Sequence, residues 1–85
     1  MNKSQVLFGL RDARLQLDNM IKEMEADKEN DGFPSFMALL PFVYRKLNRE
    51  WNGRDKTDDE LSKMSHEESE KLCRFPEDLS PFISA

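Results

Sequence analysis

A chain of 85 residues makes one domain, and its short length allows only a modest core with a thin stability margin. Apolar residues are 38% and charged residues 35% of the chain; the apolar ones are clustered, which sets global disorder aside. The net charge of −4 is uneven: residues 1–56 hold ten Lys/Arg against nine Asp/Glu, whereas residues 57–85 hold three against eight, so the acidity that would repel nucleic acid and anionic lipid belongs to the last third.

From about residue 4 to residue 29 the chain reads as one long helix. Leu7, Leu10, Leu17, Ile21 and Met24 fall on alternating three- and four-residue steps, interrupted at Arg14, the spacing of a seam packed lengthwise on another helix. Leu17 is expected in the middle of that seam as a core residue. Val6, Phe8, Ala13, Leu15 and Met20 widen the stripe beyond one seam. Asn2 followed by Gln5 resembles a capping box, with Ser4 as the rival cap. Gly9 weakens the first turns and offers room for another helix to approach.

Asn30, Asp31 and Gly32 end the first helix. A second helix is predicted over about 35–52, with Phe36, Leu40, Val43, Leu47 and Trp51 at helical spacing. Pro41 lacks a backbone donor, so the helix is expected to kink there or to begin near it. Thr57 to Glu60 and Ser65 to Glu68 each match a capping box, which predicts two short helices at about 58–64 and 66–74; one continuous helix is the rival reading. Residues 75–85 form an irregular tail, broken by Pro76 and Pro81, with Leu79, Phe82 and Ile83 expected to pack down. The predicted architecture is all-α: a small helical bundle in which a long N-terminal helix packs on a second, kinked helix and the short C-terminal helices close the core.

Several chemistries fail on their residue requirements. Asp27, Glu29, Asp31 and Gly32 match the start of a calcium loop, but Pro34 and Ala38 stand where an apolar residue and a bidentate glutamate are needed. His66, Glu70 and Cys73 share a helix face, yet the chain has no second histidine or cysteine to complete a zinc site. The same pair, two turns apart, is too distant for a Cys–His nucleophile. Glu67, Glu68 and Glu70 have little apolar surface nearby to shift their acidity. No cofactor, metal or catalytic residue is predicted, and the chain is read as a non-enzyme. Cys73 alone makes no internal disulfide; the apolar runs Val6–Leu10 and Phe36–Tyr44 are too short for a signal peptide or a membrane span, which points to the cytoplasm.

Three functional readings remain. The leading one is a small accessory or regulatory protein acting through protein–protein contacts and associating with itself as a homodimer, with Phe8, Leu15, Arg14 and Tyr44 as interface candidates. Arg14, in the seam, is expected to pair with Asp18 or with Asp12 of the second copy. The alternative is a nucleic-acid-associated regulator using the basic end of the second helix, where Arg45, Lys46, Arg49, Arg54 and Lys56 lie, with Asn52 beside them as a possible contact. Against it stands the acidic segment that follows, which offers these cations partners within the chain. The third is an acidic inhibitor or immunity-type protein of phage or mobile-element origin, in which residues 57–78 occupy a basic site on a target.

Overall fold

The structure, a computed structural model, describes residues 1–79. Of these, 71% are helical and none are in strands. Four helices follow in order: α1 (Lys3–Ala26), α2 (Phe33–Asn52), α3 (Asp58–Ser62) and α4 (His66–Leu72). The all-α class and the sequence of two long helices followed by two short ones are as the spacing predicted; the rival single helix after residue 57 is not formed.

Local chemistry sets each boundary. Asn2 caps α1, its side-chain oxygen accepting from Gln5 N. α1 stops at Ala26, three residues before the expected end, because the Asp27 carboxylate accepts from the backbone N–H groups of Glu29 and Asn30 and draws them out of the helix. Asp31 and Gly32 then take left-handed conformations, with φ of 54° and 77°. Gly32 also lies so close to Met24 that a Cβ there would strike the α1 backbone. α2 begins at Phe33, two residues earlier than predicted, because Pro34 fits the first turn where no donor is needed. It continues unbroken through Pro41, whose exposed ring faces outward. α3 carries the full reciprocal capping box of Thr57 and Glu60, and Ser65 accepts from Glu68 N to start α4.

α1 and α2 form an antiparallel hairpin, and α4 rests on α2. The line of contact in the hairpin differs from the expected seam. Gly9, Ala13 and Met20 of α1 are buried against α2, where Val43 is the apolar counterpart. Of the expected seam, Leu7 and Met24 are half-buried, and Leu10, Leu17 and Ile21 are instead exposed, Leu17 at 38%. Gly9 leaves room on this line for the Glu50 side chain, and the large apolar side chains lie on the flank. Trp51, expected in the core, is half-buried, and Leu79 is exposed; Phe82 and Ile83 lie outside the described residues. Among the described residues of the tail, Pro76 is fully buried.

Ala13, Met20 and Val43 are the buried apolar side chains of the helices. The radius of gyration is 15.2 Å, against about 12 Å for a compact chain of this length. The described chain is extended, and its helices have little apolar core. Among the described residues no helix is long and apolar enough to cross a membrane.

The base of the hairpin is tied by one side chain. Asn2 caps α1, donates from its amide to the Lys56 carbonyl at 3.1 Å and to Asp58 Oδ1 at 2.8 Å, and its backbone N–H donates to the Arg54 carbonyl at 2.7 Å. Asn2→Ala removes the cap and both amide bonds. It is expected to cost about 2 kcal/mol, from about 1 for the cap and the remainder for the lost bonds. Asn2→Ser, which keeps a capping oxygen without setting a second carboxylate against Asp58, is expected to cost less. Urea denaturation of the three proteins measures the difference.

Candidate functional site

The exposed apolar residues are organised by the register of the two long helices. At 3.6 residues per turn, Leu10, Leu17 and Ile21 fall on a stripe about 90° around α1 from the Gly9–Ala13–Met20 contact line. On α2, Phe36, Leu40, Tyr44 and Leu47 fall on a stripe displaced by about the same angle, in the same rotational sense, from the line that includes Val43. In an antiparallel pair, flanks displaced in the same sense emerge on the same side, so the two stripes form one face. All seven residues are exposed, Leu10 at 43% and Tyr44 at 50%. A shallow groove along α2, bounded by Leu40, Pro41, Val43, Tyr44 and Leu47, runs down it.

Of the four expected interface residues, this face includes two. Tyr44 is in the α2 stripe, and Arg14, exposed, interrupts the α1 stripe between Leu10 and Leu17. Phe8 and Leu15 are exposed as well, but on the opposite flank, together with Phe42. That flank is crossed by an ion pair between Lys46 Nζ and Asp12 Oδ2 at 2.9 Å. Asp12 is thereby held by its own chain, on the side of α1 away from Arg14.

The basic end of α2 is largely engaged within the chain. Arg45 forms a 2.7 Å ion pair with Glu70 of α4; the contact raises the guanidinium pKa and lowers that of the Glu70 carboxyl. Arg54 lies over the Trp51 ring, 4.1 Å from its centroid, and pairs with Asp78 at 3.1 Å. Asp78 also accepts the Trp51 indole N–H at 2.8 Å, and that bond, followed by Arg54, lowers its pKa. Asn52 donates its amide to the carbonyls of Leu72 and Arg74, and Asn48 to that of Cys73. The Lys56 carbonyl accepts from Asn2. Arg49 borders a cleft with Pro41, Phe42, Arg45, Lys46 and Cys73. The groups read as possible phosphate contacts thus include Arg45, Asn52 and Arg54, which fasten α4 and the tail to α2.

The zinc-like trio is dispersed in its bonding: Glu70 accepts from Arg45, and the Cys73 thiol donates to the Ser69 carbonyl. Among the described residues no three His, Cys, Asp or Glu side chains converge in a metal-holding group.

Glu50 is a residue the sequence did not single out. It is 9% exposed on the contact line, facing Gly9, and a Cβ at Gly9 would fall on its carboxyl group. The missing side chain is what admits it. Only the close approach of the two helices reveals this role, since in the sequence Glu50 is one more charge among charges.

Comparison with protein-family models, with curated proteins and with solved structures finds no match.

Burial pushes the Glu50 carboxyl pKa up, with Lys46 and Arg49 pulling it partly back. A carboxyl raised in the folded state binds its proton more tightly there than in the unfolded chain. Its contribution is therefore most favourable below the ordinary carboxylate pKa and is lost as pH rises through the folded value. Glu50→Gln is expected to stabilise the protein near pH 7 by about 1 kcal/mol, the scale of removing an incompletely compensated polar burial. The gain over the native chain should shrink towards pH 4. Paired urea titrations at the two pH values measure it.

Proposed function

We propose that this chain is a small, non-enzymatic accessory or regulatory protein of the cytoplasm that acts by protein–protein contact through the Leu10–Leu17–Ile21 and Phe36–Leu40–Tyr44–Leu47 face. The observation that carries the reading is the imbalance between the inside and this surface. The helices bury three apolar side chains, whereas the face exposes seven large ones on a single side. By the usual size of large side chains these amount to roughly 500 Å² of apolar surface, at the upper end of what an isolated soluble protein leaves open. Tyrosine and arginine, both present on the face, are the residue types that anchor protein interfaces.

A photoreactive phenylalanine analogue placed at Leu40 in the native cell is expected to give covalent protein adducts. The same group at Lys22 or Glu67, exposed positions away from the face, is expected to give few. Equal yields from all three positions, or no adducts from Leu40, would contradict the assignment.

A further inference from the structure

We propose that the apolar face is closed by a second copy of this chain, forming a two-fold four-helix bundle in which α1 of each copy lies along α2 of the other. The proposal rests on the reading of the face as an interaction surface and names what covers it.

The angle between the stripes is the first support. In a bundle of four helices with a square cross-section, each helix touches two neighbours at about 90°. Each long helix here carries two contact lines with that separation, one used inside the hairpin and one exposed. A two-fold axis along the bundle brings α1 of one copy over α2 of the other, so every neighbouring pair is antiparallel. The short helix α4 does not obstruct this, because it meets α2 at Asn48 and Asn52, on the side turned away from α1, and Asp78 meets the α2 stripe only at its C-terminal end, at Trp51.

The register is the second. Within the hairpin Asp12 is level with Lys46, Gly9 with Glu50, and Met24 with Gly32. Continuing that register, Leu10 is level with Leu47, Leu17 with Leu40, and Ile21 with Phe36. Arg14 is level with Tyr44. An axis parallel to the helices preserves these heights, so each residue of the α1 stripe meets its level counterpart on the partner's α2. The one charged position of the first stripe then meets the one polar aromatic of the second. A guanidinium over a tyrosine ring is a favourable contact, and it satisfies a group that leucine neighbours would leave unpaired. The alternative axis, across the helices, lays α1 on α1 and brings Arg14, at the centre of the Lys3–Ala26 span, towards its own copy.

Size and stability agree. Roughly 500 Å² from each copy gives roughly 1,000 Å² in total, which reaches the lower bound for a specific interface. The helices bury few apolar side chains, and a second copy adds the apolar cover that they lack. A second copy is the partner whose supply matches the chain's own.

Sedimentation equilibrium at tens of micromolar is expected to give twice the 10.0 kDa chain mass. Leu17→Glu and Leu40→Arg are each expected to yield chain-mass species, helical or unfolded. An equimolar mixture of the two is expected to restore the double mass and full helicity, because one of its two contacts becomes a Glu–Arg pair and the other remains Leu–Leu. Failure of the mixture to recover overturns the proposed register, and so does a Leu17→Glu variant that keeps the double mass. A native chain that is helical at single mass overturns the dimer but leaves the interaction reading to the cross-linking result; absence of adducts at Leu40 overturns both.

Discussion

The packing of α1 on α2 along Gly9, Ala13, Met20 and Val43 is the constraint on which the rest of the structure depends. Gly9 and Ala13 leave room on that line, and the Glu50 side chain takes the space opposite Gly9. Using Gly9 and Ala13 for that purpose places the leucines and isoleucine one step around the helix. The same choice admits the Glu50 carboxyl opposite Gly9 and leaves the broad hydrophobic stripe outside. Apolar burial within the hairpin is correspondingly small, and polar links take a larger share of holding the ends together.

Those links are concentrated at the end opposite the turn. Asn2 joins the start of α1 to the loop after α2, while Arg45, Asn48, Asn52 and Arg54 hold α4 and the tail. The ion pairs are exposed and individually weak. Bonds to backbone carbonyls are less sensitive to salt, and Asn48 and Asn52 make three of them. Arg45 and Arg54 thus attach Glu70 and Asp78 of the acidic third to α2.

How much of this was legible in the sequence depended on whether a signal was local. Caps were: Asn2, Thr57 and Ser65 act within three residues of themselves, and the helices start where they indicated. The early end of α1 was harder, because Asp27 competes for amides with a side chain that also suits a helix. The packed seam was misplaced for a different reason. Hydrophobic periodicity finds the stripe of large apolar residues, and Leu10, Leu17 and Ile21 are that stripe. Gly9 and Ala13, adjacent on the wheel, scarcely register on a hydropathy scale although they are the residues that permit contact. The pattern thus identified an apolar surface correctly and assigned it to the inside of the hairpin, where the structure leaves it exposed. It also grouped Phe8 and Leu15 with that surface, when the antiparallel geometry puts them on the far side. Tyr44 and Arg14 are exposed on this face, and their shared height became visible only with the hairpin's register.

The bond between the Trp51 indole and Asp78 has a spectroscopic consequence. Trp51 is the single tryptophan, and it is placed where the C-terminal segment meets the hairpin rather than between the long helices. Its emission therefore monitors the docking of that segment, while far-ultraviolet ellipticity is dominated by α1 and α2. Coincident unfolding curves from the two signals would mark the segment and the hairpin as one cooperative unit; a fluorescence transition preceding the loss of ellipticity would mark the segment as a separately melting piece.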